Sequence, residues 1–170
     1  VASGAIIGST STASPALTID SGFPTGMEFT LTNNGFIVGR GGDGGVVAGG
    51  CFPCDRFIGG AARPGQDGGP ALYIGTKTRI ENNGVIGGGG GGGSGLMGLR
   101  ELGWWYGGPG AGFEPGDWNC KSNWQIKVNP SLTSGGRCIT PDHSWGGMAG
   151  GGLGQEGQGY PYVRTPPQWY

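Results

Sequence analysis

Leu31-Thr32-Asn33-Asn34-Gly35-Phe36-Ile37-Val38, followed by Gly39-Arg40-Gly41-Gly42-Asp43-Gly44-Gly45, is matched later in the chain by Ile80-Glu81-Asn82-Asn83-Gly84-Val85-Ile86 and the unbroken run Gly87 to Gly93. Upstream of each lies a second shared element, Pro15-Ala16-Leu17-Thr18-Ile19 in the first copy and Pro70-Ala71-Leu72-Tyr73-Ile74 in the second. The two elements occur in the same order, so the stretch is an internal repeat. The copies differ in length because the first carries additional residues between Asp20 and Met27, which reads as a surface turn. Within each copy apolar and polar residues alternate with period two, the signature of strands buried on one face. Asn-Asn-Gly reads as the bend between strands, since Asn and Gly tolerate the positive φ of tight turns. A stacked Asn could also hydrogen-bond to neighbouring backbone.

A glycine array follows each bend. Without side chains it can take an extended helix of three residues per turn, the polyglycine counterpart of polyproline II, which has no internal hydrogen bonds and points its amides outward. If parallel neighbours of the same kind accept those amides, buried polar groups are satisfied without an apolar core. Composition requires some such device. The chain has 170 residues, among them 44 Gly and 12 Pro, and Leu, Ile, Val and Phe are too scarce for an ordinary core. Disorder fits poorly, because disordered chains carry high net charge and few aromatics, whereas this one has a formal charge of −1 with six Trp and five Tyr. The expected fold is mostly β and irregular, a glycine-rich repeat scaffold of short strands and polyglycine II-type helices with long displayed loops and essentially no α-helix. One helical turn is allowed for at residues 96–102. The chain reads as a single module over 1–170, with a repeat scaffold over 1–95 and glycine runs with aromatic loops over 96–170.

The balance of 10 Lys and Arg against 11 Asp and Glu, without a basic cluster, gives no footprint for nucleic acid or an anionic membrane. No apolar run reaches the roughly 20 residues of a membrane span, and Val1-Ala2-Ser3-Gly4 lacks the features of a signal peptide. A chain opening on Val1 reads as a fragment or processed product, with a stalk expected upstream.

The motifs that could carry catalysis are weak. Asp142-His143-Ser144 places the only histidine between two triad residue types, but adjacent side chains diverge and cannot form a sequential relay. Scattered carboxylates do not single out a glycosidase pair. Gly-x-Gly-x-x-Gly is unavoidable in such a composition and lacks its strand-to-helix context. Cys51-Phe52-Pro53-Cys54 supplies half of a zinc site at most. Structural disulfides, with Cys120 and Cys138 the candidate pair, suit an oxidising exterior better. No cofactor or metal is expected.

The aromatic loops are the informative remainder. All six tryptophans fall after Leu99, and Trp104-Trp105-Tyr106 sits between Gly103 and Gly107-Gly108-Pro109-Gly110. Such rings could form a small core, yet Trp, Tyr and Arg also dominate binding hot spots, and loops on a rigid scaffold are where recognition resides. The candidate receptor-binding residues are Trp104, Trp105 and Tyr106, then Phe52, Arg56 and Phe57, then Phe113 and Trp118.

Repeats of Asn-Asn-Gly-x-Ile followed by glycine arrays, here at 33–45 and 82–93, resemble the glycine-rich distal regions of phage tail fibres. Those regions include the C-terminal parts of siphophage host-specificity proteins and the adhesins at the tips of T-even-like long tail fibres. The resemblance covers about residues 15–95 and implies a sandwich of polyglycine II helices. The short glycine runs after Gly95 suit a strand-rich solenoid with a glycine layer better than a full sandwich. Also implied are a non-enzymatic, extracellular role on the virion, a bacterial surface receptor (protein or glycan), and an upstream tail-fibre stalk. Assembly is either as a homotrimer or as a single chain mounted on a trimer. A structural or ice-binding protein would need flat repetitive faces, against which the irregular Trp-rich tail argues. A glycan-degrading tailspike domain would need an acidic cleft.

Overall fold

A computed structural model describes residues 1–24, 26–45, 64–97, 104–105, 107–114, 116, 126–139 and 149–157. The two repeats form successive coils of a small parallel solenoid. Coil one holds β2 (Leu17–Ile19), β3 (Phe29–Asn33) and β4 (Phe36–Val38), and β1 (Ile6–Gly8) lies beneath its last strand. Coil two holds β5 (Leu72–Ile74), β6 (Thr78–Asn82) and β7 (Val85–Gly87). Equivalent residues stack: Leu17 on Leu72, Leu31 on Ile80, Asn33 on Asn82 and Ile37 on Ile86, all in parallel register. The repeat alignment is thus the strand register, because a one-residue slip would turn every inward apolar side chain outward.

The core between the coils is small: Ile19, Leu31, Ile37 and Ala71, with Val1, Ile7, Leu17, Leu72 and Ile86 packed around them. Its polar counterpart is an asparagine ladder. Asn33, fully buried, donates through Nδ2 to Asn82 Oδ1 at 2.7 Å and to the Val85 carbonyl at 3.2 Å, while its Oδ1 accepts the Gly35 N–H at 3.1 Å. Asn83 donates to Asn34 Oδ1 at 3.0 Å. Neither Gly35 nor Gly84 has a φ in the left-handed region. Glycine is required at the bend for close stacking, since a Cβ on Gly84 would run into the Gly35 carbonyl and one on Gly35 into the carbonyls of Ala2 and Ala5. Asn33→Ala leaves the buried Gly35 N–H without its partner, strips a bond from the half-buried Val85 carbonyl and opens a cavity, and is expected to cost about 3 kcal/mol, against about 1 kcal/mol or less for Asn83→Ala on the exposed rung. Denaturant midpoints of the two variants measure the difference.

From Gly39 and Gly87 onward the period changes from two to three. Gly39, Gly42 and Gly45 donate to the carbonyls of Gly87, Gly90 and Gly93 at 3.0, 2.9 and 2.7 Å. Along Gly89 to Gly93 the amides are donated in rotation to three different neighbours: Gly69, Ala111, Gln155, then Gln66 and Gly108. An amide that returns to the same neighbour every third residue is the hallmark of an extended three-residue helix. Segments 64–69 and 107–113 run antiparallel to 39–45: Gly69 and Gln66 donate to Arg40 and Asp43, and Gly107, Gly110 and Phe113 donate to Gly45, Gly42 and Gly39. The expected parallel packing therefore holds for the pair 39–45 and 87–93, and antiparallel packing joins it to segments 64–69 and 107–113. Glycine runs on both sides of residue 95 share this lattice.

The side-chain pattern of the arrays follows the same period. A Cβ on Gly39 or Gly42 would strike segment 64–69, and one on Gly41 or Gly44 would strike segment 107–112. The third face carries Arg40 and Asp43, joined by an ion pair at 3.1 Å. Of the stretch 96–102, where a helical turn is allowed for, Leu96 and Met97 form β8 (Leu96–Met97), paired antiparallel with β9 (Trp104–Trp105), and 98–102 lie outside the described residues. β10 (Ile126–Val128) and β11 (Arg137–Ile139) form a second antiparallel pair. Among the described residues there is no helix.

Candidate functional site

The lattice has two unlike ends. At one, the solenoid strands run straight into glycine segments: Gly39 bonds with Gly87, Phe113 with Gly39 and Gly154 with Gly88. The turn of the 129–136 hairpin is also at this end, with Gly112 donating to Ser131 and Ser131 to Ser134. At the other end, Gly45 bonds with Gly93 and Gly107 with Gly45, and Gly65 lies against the Gly92 carbonyl.

The sizeable stretches outside the described residues are anchored toward this second end. Residues 46–63 run from Gly45 to Pro64, and residues 98–103 and 106 interrupt the path from Gly95 to Gly107. Residues 117–125 leave from Gly116, packed on Gly42, and return at Ile126, whose strand partner is Ile139. Residues 140–148 leave after Ile139 and return to Gly150, which bonds with Gly136, while 158–170 continue from Gly157 beside Gly92. The antiparallel alternation of the segments produces this result: an up-and-down array places alternate connections at opposite ends, and here the short ones lie beside the solenoid.

The sequence candidates divide accordingly. Phe52, Arg56, Phe57, Tyr106, Trp118 and Cys120 lie outside the described residues, all within stretches attached at the second end. Trp104 and Trp105 are described as a strand pairing Met97 and Leu96 just past the same end. Phe113 is elsewhere. Its ring lies flat on Gly8, half exposed, at the junction with the solenoid, and its backbone N–H closes the lattice on Gly39. A solenoid-end aromatic that sequence reading did not single out is Phe23, whose ring stands 5.7 Å from that of Phe29. Both are exposed.

Cys138 on β11 is fully buried and disulfide-bonded. Its partner falls outside the described residues. Because a disulfide constrains the unfolded chain, Cys138→Ser, or reduction of the unaltered chain, is expected to lower stability by about 2–5 kcal/mol. Thermal unfolding with and without reductant measures this. Three described carboxylates are held in ion pairs, Asp43 with Arg40, Glu28 with Lys77 and Glu81 with Arg79.

A rigid backbone lattice that gathers its connections at one end is suited to presenting loops to a partner. The comparison with known families decides what kind of presenter it is: the model of the phage tail fibre adhesin Gp38 matches residues 1–168. The chain belongs to this family. It is a receptor-binding adhesin of a phage tail fibre. No curated protein and no solved structure matches the chain. As an adhesin it acts in host recognition, binding a bacterial surface receptor and joining the tail fibre of the virion.

Proposed function

We propose that this adhesin caps the distal tip of its fibre and recognises an outer-membrane protein or glycan of the host through the loops at the second end of the glycine lattice. Trp104, Trp105 and Tyr106 are the principal contacts, with Phe52, Arg56, Phe57 and Trp118 around them. Cys120 is the proposed disulfide partner of Cys138. The observation that carries the reading is the shared end: stretches far apart in sequence are anchored within one layer of glycine hydrogen bonds, away from the solenoid. Large aromatic rings supply contact area at low entropic cost, and the lattice pre-organises their anchors, which reduces the ordering cost of binding.

The adhesin works by binding alone. Phe113, packed on Gly8 at the opposite end, acts in this scheme as a joint between solenoid and lattice rather than as a receptor contact. The test is binding of the labelled chain to intact bacteria of several genera, with a reducing-sugar assay on host polysaccharide in parallel. Saturable binding to one host, competing with phage adsorption and releasing no sugar, is the expected result. Turnover that disappears on replacing one carboxylate would overturn the non-catalytic reading, and absence of binding to any cell would overturn recognition.

A further inference from the structure

Each repeat carries the pair Asn-Gly at its bend, Asn34-Gly35 in coil one and Asn83-Gly84 in coil two, and the sequence holds no other. Asn-Gly is chemically the least durable pair in a polypeptide. The glycine nitrogen can attack the carbonyl carbon of the asparagine side chain, because a five-membered ring closes and no Cβ on the glycine stands in the way. Folded structure controls that reaction: the attacking nitrogen has to give up its hydrogen bond and its proton, and the bend has to open. The two bends meet this demand from unlike positions.

Asn34-Gly35 is held from both sides. Asn34 N–H donates to Val1 O and Phe36 N–H to Ala5 O, each at 2.9 Å, while from coil two Val85 N–H donates to Gly35 O at 2.9 Å. Gly35 is buried, and its N–H donates to Oδ1 of the fully buried Asn33 at 3.1 Å. Asn83-Gly84 is held toward coil one. Asn83 N–H donates to Asn33 O at 2.7 Å, and the atoms nearest to a Cβ on Gly84 all belong to Asn34 and Gly35. Gly84 is half-buried, and Asn82 and Asn83 are exposed. The Gly84 N–H reaches Asn82 Oδ1 at 3.3 Å, beyond the roughly 2.7–3.2 Å of a well-formed bond. That oxygen also accepts the Asn33 Nδ2 at 2.7 Å, so the clamp on the upper nitrogen is shared and long where the clamp on the lower one is short and buried.

We infer that Asn83 is a site of spontaneous deamidation, and that Asn34, its equivalent one coil below, is protected from the same reaction by the stack. Solvent base removes the Gly84 N–H proton, and the freed nitrogen attacks Cγ of Asn83. The new C–N bond closes a succinimide, and Nδ2 leaves as ammonia with a proton returned from water. A second water then opens the ring at one of its two carbonyls, leaving aspartate, or isoaspartate in which the main chain runs through the former side chain. In sum one water is consumed and one ammonia released. Either product unsettles the upper rung of the ladder. Asn83 Nδ2 donates to Asn34 Oδ1 at 3.0 Å, and the carboxylate that replaces it has no proton to donate. Isoaspartate also adds a carbon to the main chain at a bend where Gly84 is stacked on the Gly35 carbonyl without room for a Cβ. Coil two therefore ages before coil one and gains a negative charge as it does so.

The test is prolonged incubation of the full chain, folded, in warm and mildly alkaline buffer, with both bends followed by peptide mass spectrometry and a urea-unfolded sample kept in parallel. In urea the two bends are expected to convert at like rates. In the folded chain Asn83 is expected to convert at least about tenfold faster than Asn34, because only the lower bend needs the coils to separate. Asn82→Ala removes the oxygen that holds the Gly84 N–H and is expected to speed Asn83 severalfold, with the Asn34 rate in the same molecule reporting that the fold is kept. Asn83→Gln lengthens the side chain past five-membered ring closure and is expected to remove the acidic species that accumulates on anion exchange. Equal rates at the two bends of the folded chain would overturn the inference. So would an Asn83 that stays intact over the time in which the unfolded chain converts.

Discussion

Gly90→Ala and Gly110→Ala are each expected to lower stability by about 3 kcal/mol, a fall in the thermal midpoint on the order of 10 °C for a chain of this length. The reason is steric and local. A Cβ on Gly90 would collide with the Gly151 carbonyl, and one on Gly110 would collide with the carbonyl of Gly90 itself. The obstacle in both places is backbone that is already held on several sides. Gly90 donates to Ala111 at 2.8 Å and accepts from Gly42 at 2.9 Å, so moving it to admit a methyl group strains bonds to other segments. Overpacking an ordinary core costs about 1–3 kcal/mol because side chains can shift into other rotamers, and a glycine lattice has no rotamers to use. Gly22→Ala is the control: open space surrounds it, and its effect is expected within about 0.5 kcal/mol. Equal melting curves for Gly22→Ala and Gly90→Ala would contradict the lattice.

The second large effect concerns recognition. The double variant Trp104→Ala/Trp105→Ala is expected to weaken binding to host cells at least about 100-fold, since truncating a hot-spot aromatic costs about 2 kcal/mol or more. Stability is expected to change little. β9 is joined to β8 through backbone pairing of Trp105 with Leu96 and Trp104 with Met97, which alanine preserves. Binding lost together with the fold would place these residues in the scaffold instead. Binding kept with an intact fold would move recognition to the other loops.

Much of the solenoid is legible in the sequence. Pro15 aligned with Pro70 and Asn33 with Asn82 already states the register that β2–β5 and β3–β6 adopt, because strands leave their period in apolar side chains. The asparagine ladder is legible for the same reason: the residue that bonds across the coils recurs at the repeat. The arrangement of the glycine segments is not. Glycine carries no side chain to mark a face, so nothing in Gly87 to Gly93 tells that its neighbours include residues 151–157. Only the interruptions carry a trace, with Arg40 and Asp43 three residues apart on the one outward face of their segment. The short run Gly107-Gly108-Pro109-Gly110 looks too small to matter, yet it lies fully inside the lattice.

The site is legible by residue type and not by place. Aromatic loops between glycine hinges mark recognition chemistry, but their common end depends on which segments run up and which run down. Phe113 shows the limit of residue type alone. In sequence it stands with the other loop aromatics, beside Gly112 and Glu114, whereas in the fold the chain turns at that point and returns. Its ring then covers Gly8, where a Cβ would leave no room for it.

The measurement that bears most directly on the central claim is a comparison of the two ends of one molecule by whole-cell binding. One variant carries alanine at Phe52, Phe57, Trp104 and Trp105, and the other at Phe23, Phe29 and Phe113, with thermal unfolding recorded for both. Loss of host binding in the first variant alone is the predicted result; loss in the second, with the first still binding, would contradict recognition at the far end of the lattice.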